Sequence, residues 1–428
     1  MTDDLMKSSG SGDAGNSTHA DEQRLYPKYP KVRFRGFDEP WKKVKLGEIS
    51  EKITQKNNNS CSQFPVLTNS AEYGIVYQKD FFDKNIAINT DNYYVVHTED
   101  FVYNPRISKQ APYGPIRVNH LKTGVMSPLY YIFKIKDDFN IGFFEFLFIG
   151  NKWHKFMYQN GDSGARSDRY AIKDKVFNKL PIYIPQKIEE QKLIFEINHK
   201  INSLLYLQQR KLELENKLKK QIAFYLYSFT LTPNFKHIEV KNKKLGDIVD
   251  ISNGIMGDSQ KKSGNFKLTR IETISNGKID LSRTGYIDQV SDEKKFLEVG
   301  DILYSNINSL THIGKNAIVK EKHLPLVHGI NLFRLHITNN QITPNYLHGL
   351  LNLPKYKWWV KSHANPAVNQ ASINKTELSS LVIKYPDLDI QNQINNINYS
   401  FAQYWDIQYS KKESLCQLKQ FLLQNLFI

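Results

Sequence analysis

Cysteine is nearly missing from this chain: only Cys61 and Cys416 occur among 428 residues, far apart and in unlike contexts. They make no disulfide framework and no metal-ligand spacing, a usage that fits a reducing cytosol and predicts a cytoplasmic protein. Long apolar runs are missing as well. Nothing approaches the ~20 residues that cross a bilayer, and no apolar signal segment opens the chain, so no membrane partner is expected. Phosphate-cradling loops are missing. Gly10, Gly12 and Gly15 satisfy G-x-G-x-x-G literally, but no strand precedes them and no apolar helix follows. There is no Walker A loop, no His/Cys/Asp/Glu cluster for a metal, and no Asn/Asp-Pro-Pro-aromatic methyltransferase motif. Asn104-Pro105-Arg106 and Asn365-Pro366-Ala367 only graze that pattern. Chemistry by this chain alone is therefore not indicated. Residues 1–24 lack apolar residues at any period and are rich in Gly and Ser, which predicts a disordered tail.

What the chain has in excess is positive charge and aromatic side chains. Fifty-eight Lys and Arg against 43 Asp and Glu leave +15, and so large an excess points to a polyanion, nucleic acid above all. Twenty-four Tyr and 24 Phe suit β-rich modules and interfaces. The length predicts two or three domains.

One stretch organises the rest. Residues 186–229 contain no Pro and no Gly, and Ile194, Ile197, Ile201, Leu204, Leu205, Leu212, Leu218, Ile222 and Leu226 recur at helical spacings. Some 40 helical residues make a rod of roughly 60 Å. Residues 389–428 look like a second copy. At an offset of 200 they align Ile194 with Ile394, Ile197 with Ile397, Ile201 with Phe401, Leu205 with Trp405, Leu218 with Leu418, Ile222 with Leu422 and Leu226 with Leu426. Both copies turn polar at one place, Gln208 and Lys211 against Gln408 and Lys411. Such equal register lets the two helices pair along similar seams.

The modules before the helices repeat too. Lys45-Leu46-Gly47-Glu48-Ile49 returns as Lys244-Leu245-Gly246-Asp247-Ile248, and the approach to Pro185 returns at Pro386. Short strand-like runs separated by Gly, Asn and Pro turns fill each copy. Each copy also has an aromatic helical piece, 143–158 with Trp153 and 344–362 with Trp358 and Trp359. The two tryptophans share helical spacing with Leu350, Leu351 and Leu353, which predicts core positions. A period near 200 residues thus divides the chain into a tail (1–24), an arm and first module (25–185), a first long helix (186–230), a second module (231–386) and a second long helix (387–428). The arm, LYPKYPKVRFRGFDEPW over residues 25–41, reads as an extended segment docked on something.

With these pieces in this order the chain resembles the specificity (S) subunit of type I restriction-modification systems. The resemblance covers nearly everything after residue 24. It rests on the arm, on KLGEI and KLGDI at the module starts, on Pro185 with Glu190-Gln191 and Ile194, on the run Gly300-Asp301-Ile302-Leu303-Tyr304-Ser305, and on the duplication itself. In the second copy the Glu-Gln pair is Ile390-Gln391, a departure. The resemblance implies an α/β (α+β) architecture: two similar target recognition domains joined by two long antiparallel spacer helices. It implies a non-catalytic subunit that binds double-stranded DNA at a bipartite, asymmetric site and docks two methyltransferase (M) subunits. Up to two motor-nuclease (R) subunits join for cleavage. S-adenosylmethionine then belongs to the methyltransferase, which methylates adenine at N6, and ATP and Mg²⁺ belong to the nuclease.

Base reading asks for Arg, Lys, Asn, Gln, Ser or Thr at loop tips, with basic neighbours for phosphates. In the first module Asn104, Arg106, Lys109, Arg117, Arg166 and Arg169 answer to that; in the second, Lys261, Lys262, Arg270, Asn306, Asn308, His312, Lys315, Asn369 and Gln370 do. For the partner subunits Leu207, Tyr225 and Phe229 lie near or off the helix seam. Two other classes stay open at this point: a stand-alone or fused endonuclease, and a coiled-coil scaffold whose charge binds nucleic acid.

Overall fold

The computed structural model describes residues 6–8, 29–58, 64–83, 89–162, 168–228, 238–258, 261–274, 277–368 and 370–428. The chain forms two compact units. One comprises Met1–Arg210 with Ser410–Ile428, and the other Lys211–Tyr409.

In the first unit a four-stranded antiparallel sheet runs in the order Ser50–Lys52, Tyr131–Ile135, Phe101–Tyr103, Ile116–Val118. A separate pair joins Lys42–Lys45 to Pro181–Ile184, the strand that ends the module. Short strands suffice because each is sealed by large aromatics. Phe101 stacks on Phe133 at 5.4 Å, and Phe148 and Phe177 meet Phe133 edge-on. All four are buried, and each contributes about 1.5–3 kcal/mol by leaving water. Helix Ile141–Ile149, capped by the Asn140 side chain on the Phe143 amide at 2.9 Å, lays Phe143, Phe144, Phe146 and Phe148 into this core.

The second unit repeats the plan. Its sheet runs Val249–Asn253, Phe333–Ile337, Ile302–Tyr304, Asn316–Ile318, and its separate pair joins Lys241–Lys244 to Val382–Tyr385. Helix Pro344–Leu351 takes the place of Ile141–Ile149, started by Thr343 and by a proline in its first turn. Two sheets of one strand order at one spacing bear out the internal repeat.

The long helices span Ile188–Ser228 and Leu388–Asn425. Each starts just after a proline-ended strand, with acidic residues in the first turn where the helix dipole favours them. Each unit holds one part of each helix. In the first unit Ile194 and Ile201 share a core with Leu422, Leu426 and Phe427, and Phe427 lies 5.4 Å from Phe143. In the second, Leu226 and Tyr227 share a core with Ile394, and Tyr227 lies 5.1 Å from Tyr346. The start of one helix thus meets the end of the other within each unit, so the pairing is antiparallel.

This refines the expected seam. Positions 200 apart are equivalent, not in contact. Leu204, Leu218, Leu418 and Ile397, expected on it, are exposed. The polar stretch does face the partner helix. Lys211 donates to the buried Gln408 at 3.4 Å in the second unit, and Lys412 to Gln209 at 2.5 Å in the first. These polar pairs interrupt an otherwise apolar seam and so discriminate between registers.

Of the tail expected to be disordered, Met6–Ser8 forms a short strand on Val32–Phe34; the rest lies outside the described residues. Trp358, expected in the core, is 68% exposed. Its neighbour Trp359 packs against the core and stacks on His363 at 4.0 Å. One helical position decides between the two sides.

Candidate nucleic-acid interface

In the first unit strand Phe101–Tyr103 leads into a loop that turns back as Ile116–Val118. Its geometry is held from within. Asn104, buried, donates from Nδ2 to the Asn69 carbonyl at 2.8 Å and accepts the Arg106 amide at 3.0 Å. The Asn104 amide donates to the Pro115 carbonyl at 2.9 Å. Gly114 has φ +81°, and a Cβ there would strike the Asn104 carbonyl oxygen, so glycine is required. Asn104, expected to read bases, is therefore spent on shaping the loop. Arg117 is also removed from the list of free readers. Its guanidinium donates to the Ile116 and Ala71 carbonyls, both at 3.0 Å, and burial lowers its pKa.

Arg106 and Arg169 come together. Sixty-three residues apart in sequence, they face each other across an antiparallel bridge. The Ile107 amide donates to the Asp168 carbonyl at 3.0 Å and the Tyr170 amide to the Pro105 carbonyl at 2.8 Å. The exposed Arg106 side chain has no ion-pair or hydrogen-bond partner among the described residues. Arg169 reaches Asp168 only at 3.9 Å, and its buried Nε has no hydrogen bond among the described residues. Both line a cleft of about 370 Å³ with Thr68, Asn69, Gln78, Ser108 and Ser127. Lys109 stands exposed beside it. Arg166 lies outside the described residues. Gln78 and Ser127 carry no local sequence signal; only the fold places them by Arg106.

The second unit builds the same corner with other residues. The Ser305 amide donates to the Lys315 carbonyl at 2.8 Å, and Gly314, at φ +78°, donates to the Ser305 carbonyl at 2.9 Å. Strand Ile307–Asn308 pairs with Gln370–Ser372, which pairs with Asn365–Ala367. This three-stranded ribbon puts Asn308 beside the exposed Gln370. Asn369 lies outside the described residues. Asn306 is buried, with an Oδ1 that has no hydrogen-bond partner. Asn308 is half engaged, donating to Ser305 Oγ at 3.2 Å and accepting the Ser309 amide at 2.9 Å. His312 is exposed, its Nδ1 held by Ser309 Oγ at 2.7 Å. Lys315 is half-buried and Lys262 is exposed. Lys261 is tied to Asp288, and Arg270 braces its own loop through the Asp258 carbonyl at 3.3 Å.

On the long helices Leu207 and Tyr225 are 60% and 44% exposed, while Phe229 lies outside the described residues. Leu204, Tyr206 and Leu207 expose apolar surface on the first unit, and Leu214, Leu218, Phe224 and Tyr225 on the second. No group of three or more metal-ligating side chains occurs among the described residues. No helix among them is long and apolar enough to cross a membrane.

The chain is similar to known proteins of one kind. Residues 237–415 match the sequence model of the type I restriction modification DNA specificity domain. Over 213 residues the chain is 39% identical to a putative type I restriction enzyme MjaX specificity subunit from Methanocaldococcus jannaschii, covering 47% of this chain and 50% of that protein. The match thus spans about half the length of this curated relative. In fold, a crystal structure of a type I restriction-modification S subunit from M. genitalium covers 94% of this chain and 99% of its own, with a TM-score of 0.54 at 15% identity. A structure described as bearing on complex assembly and conformational transition of the type I R-M system covers 90% of this chain and 97% of its own, with a TM-score of 0.56 at 15% identity. The specificity subunit is what this chain resembles in domain, sequence and fold.

Proposed function

We propose that the chain is the DNA-recognition subunit of a type I restriction-modification complex and reads a bipartite, asymmetric site. The observation that carries this reading is a pair of equivalent corners, one in each unit, built on one backbone plan and furnished with different side chains. The first presents Arg106, Arg169 and Lys109; the second presents Asn308, Gln370 and His312. Arg favours guanine, and Asn or Gln favours adenine, in the major groove. Different side chains on equal frames read different half-sites, whereas a homodimer favours a palindrome. The net charge of +15 supplies the phosphate attraction.

In this reading the long helices set the distance between half-sites. Their exposed apolar residues, Leu207 and Tyr225 among them, dock two methyltransferase subunits, and restriction subunits join for cleavage. The chain itself performs no chemistry. S-adenosylmethionine works in the methyltransferase; ATP and Mg²⁺ work in the nuclease. Residues 25–41 serve as an arm at the partner contact, and the fused-nuclease reading has no metal-ligating cluster among the described residues to support it.

The test begins with methylome sequencing of cells with and without this chain, which maps the site. The chain co-purified with its methyltransferase should then bind the mapped duplex far more tightly than a scrambled one at moderate salt. Equal affinities would overturn the proposal. Four residues inserted into each long helix should shift the preferred half-site spacing; an unchanged spacing would refute the measuring role.

A further inference from the structure

The first unit carries an aromatic cluster that the recognition corner described above does not use. Strand Gly74–Tyr77 is followed at once by the short helix Gln78–Phe82, which ends at Asp83 in the left-handed region, φ +53°. Phe81 and Phe82 are adjacent in sequence and meet edge-to-face at 4.8 Å; Tyr73 meets Phe81 at 6.4 Å. All three stand in water, Tyr73 65% exposed, Phe81 42% and Phe82 38%. No residue of this helix is buried. The cluster therefore contributes little to the core and forgoes most of the burial free energy that three rings could supply.

Their position says what covers them. Phe81 and Phe82 line the same 370 Å³ cleft as Arg106 and Arg169. Leu129, 56% exposed, lines it too. The polar side of that cleft offers an Arg106 guanidinium free of partners among the described residues and an Arg169 Nε without a hydrogen bond. No carboxylate lines it. Apolar rings beside the unpaired Arg106 guanidinium, with Arg169 held only loosely by Asp168, suit a ligand with flat π-faces and negative charge together, which is the chemistry of nucleobases on a phosphate backbone. An apolar protein partner would use the rings but leave the Arg106 charge unanswered.

We propose that Phe81 and Phe82, buttressed by Tyr73, form a wedge against the base stack of the half-site read by the first unit. This rests on the DNA-recognition reading given above and adds to it. Arg106 and Arg169 hold the backbone or a base edge, while the rings press into an adjacent step and partly unstack it. The first half-site is then chosen partly by deformability: flexible pyrimidine–purine steps are favoured at the wedge, at positions no polar group reads. Among the described residues the second unit has no such aromatic trio at its corner, and its ribbon reads by hydrogen bonding instead.

The experiment uses the full chain co-purified with its methyltransferase and duplexes carrying the mapped site. 2-Aminopurine is placed at successive positions of each half-site. Binding should raise its fluorescence at one step of the first half-site. The Phe81→Ala/Phe82→Ala double variant should lose that signal and bind the mapped duplex on the order of tenfold to a hundredfold more weakly. Tyr73→Ala should show a smaller loss in the same direction. An unchanged circular dichroism spectrum and melting temperature establish that the variant is folded. If the wild-type complex fails to distinguish mapped from scrambled DNA, the recognition reading itself fails. If the wild type discriminates but the double variant binds equally well, or no 2-aminopurine position responds, the wedge is refuted while recognition stands. If the double variant loses the methyltransferase but keeps its DNA affinity, the rings bind protein and the wedge is likewise refuted.

Discussion

The two units share a backbone plan and differ in what they place on it. The clearest contrast lies at the start of each long helix. In both, a glutamine clamps the same two partners. Gln191 accepts the Asn140 amide at 3.0 Å and donates to the Pro185 carbonyl at 3.3 Å; Gln391 accepts the Thr343 amide at 2.8 Å and donates to the Pro386 carbonyl at 2.9 Å. The residue before it is Glu190 in the first unit and Ile390 in the second. Glu190 is buried and receives Arg33 through two hydrogen bonds of 2.7 and 2.8 Å, with Trp41 Nε1 at 3.2 Å. Arg33 and Trp41 come from the arm. Among the described residues no comparable arm precedes the second module's KLGDI, and an apolar residue, Ile390, fills the position. The departure from Glu-Gln is thus not decay of a motif. The glutamine belongs to the module, and the glutamate belongs to the arm.

The largest effect should come from breaking that contrast. Glu190→Ile leaves Arg33 buried without its partner, which should cost about 3–5 kcal/mol in urea unfolding followed by probes in the first unit. Ile390→Glu places an unpaired carboxyl in the second unit and should destabilise it there. Glu190→Ile together with Arg33→Met should recover much of the loss. Failure of that rescue would show that Glu190 acts through something other than the arm.

A second contrast sharpens with pH. Asp100 and Asp301 occupy equivalent places, each capping a turn: Asp100 accepts the His97 amide at 2.6 Å, and Asp301 the Glu298 amide at 2.7 Å. Asp301 also meets His336 at 2.8 Å and the Arg334 Nε at 2.7 Å, the latter an ion-pair contact outside hydrogen-bond geometry. By strand register the first unit has the buried Ile132 at the place of Arg334, and at the place of His336 it has Lys134, which turns to Asp137 at 2.9 Å. Burial therefore raises the Asp100 pKa from 3.8 to about 6. The folded first unit holds this proton more tightly than the unfolded chain does. Stability from that source is present below about pH 4 and is lost as pH rises towards 6. Asp100→Asn should relieve up to about 3 kcal/mol at pH 7 and nothing at pH 4, visible as a higher unfolding midpoint. Asp301→Asn should have the opposite sign, because it takes one of two carboxylates, Asp301 and Glu298, from the buried Arg334. Equal signs would break the comparison.

Smaller effects are expected from Gln191→Leu and Gln391→Leu. Each strips a helix-start amide and a proline carbonyl of a buried partner, at about 1–3 kcal/mol; Gln391 also donates to the Gln341 carbonyl at 2.9 Å, so circular dichroism melts should show the larger shift for Gln391→Leu. Least of all, Lys109→Ala should weaken binding to every DNA sequence alike, with the slope of log affinity against log salt falling by about 1. A change confined to one base pair would make Lys109 a reader.

Much of this was legible before the fold was known. Helical period, the absence of Pro and Gly, and the proline stops gave both long helices nearly to the residue. The offset of 200 predicted two like modules, because local turn chemistry repeats when a module repeats. Arg106, Lys109, Asn308 and Gln370 were legible as polar residues in or beside loops, and Arg106, Lys109 and Gln370 stand exposed. Asn104 and Arg117 were misjudged: one-dimensional spacing shows that a polar group exists, not whether a backbone carbonyl 35 or 46 residues away already holds it.

Amino-acid order alone determined the repeat, the helices, the surplus charge and the residue classes available at each loop, since these depend on composition and neighbours along the chain. Tertiary structure decided which of them meet. It brought Arg169 to Arg106 and set the ends of the long helices into the cores of the two units. It also gave Glu190 a reason that Ile390 lacks, and left Phe81 and Phe82 in water beside two arginines. Those outcomes turn on burial and on hydrogen bonds between distant segments, and neither is a property of a stretch of sequence until the chain has folded.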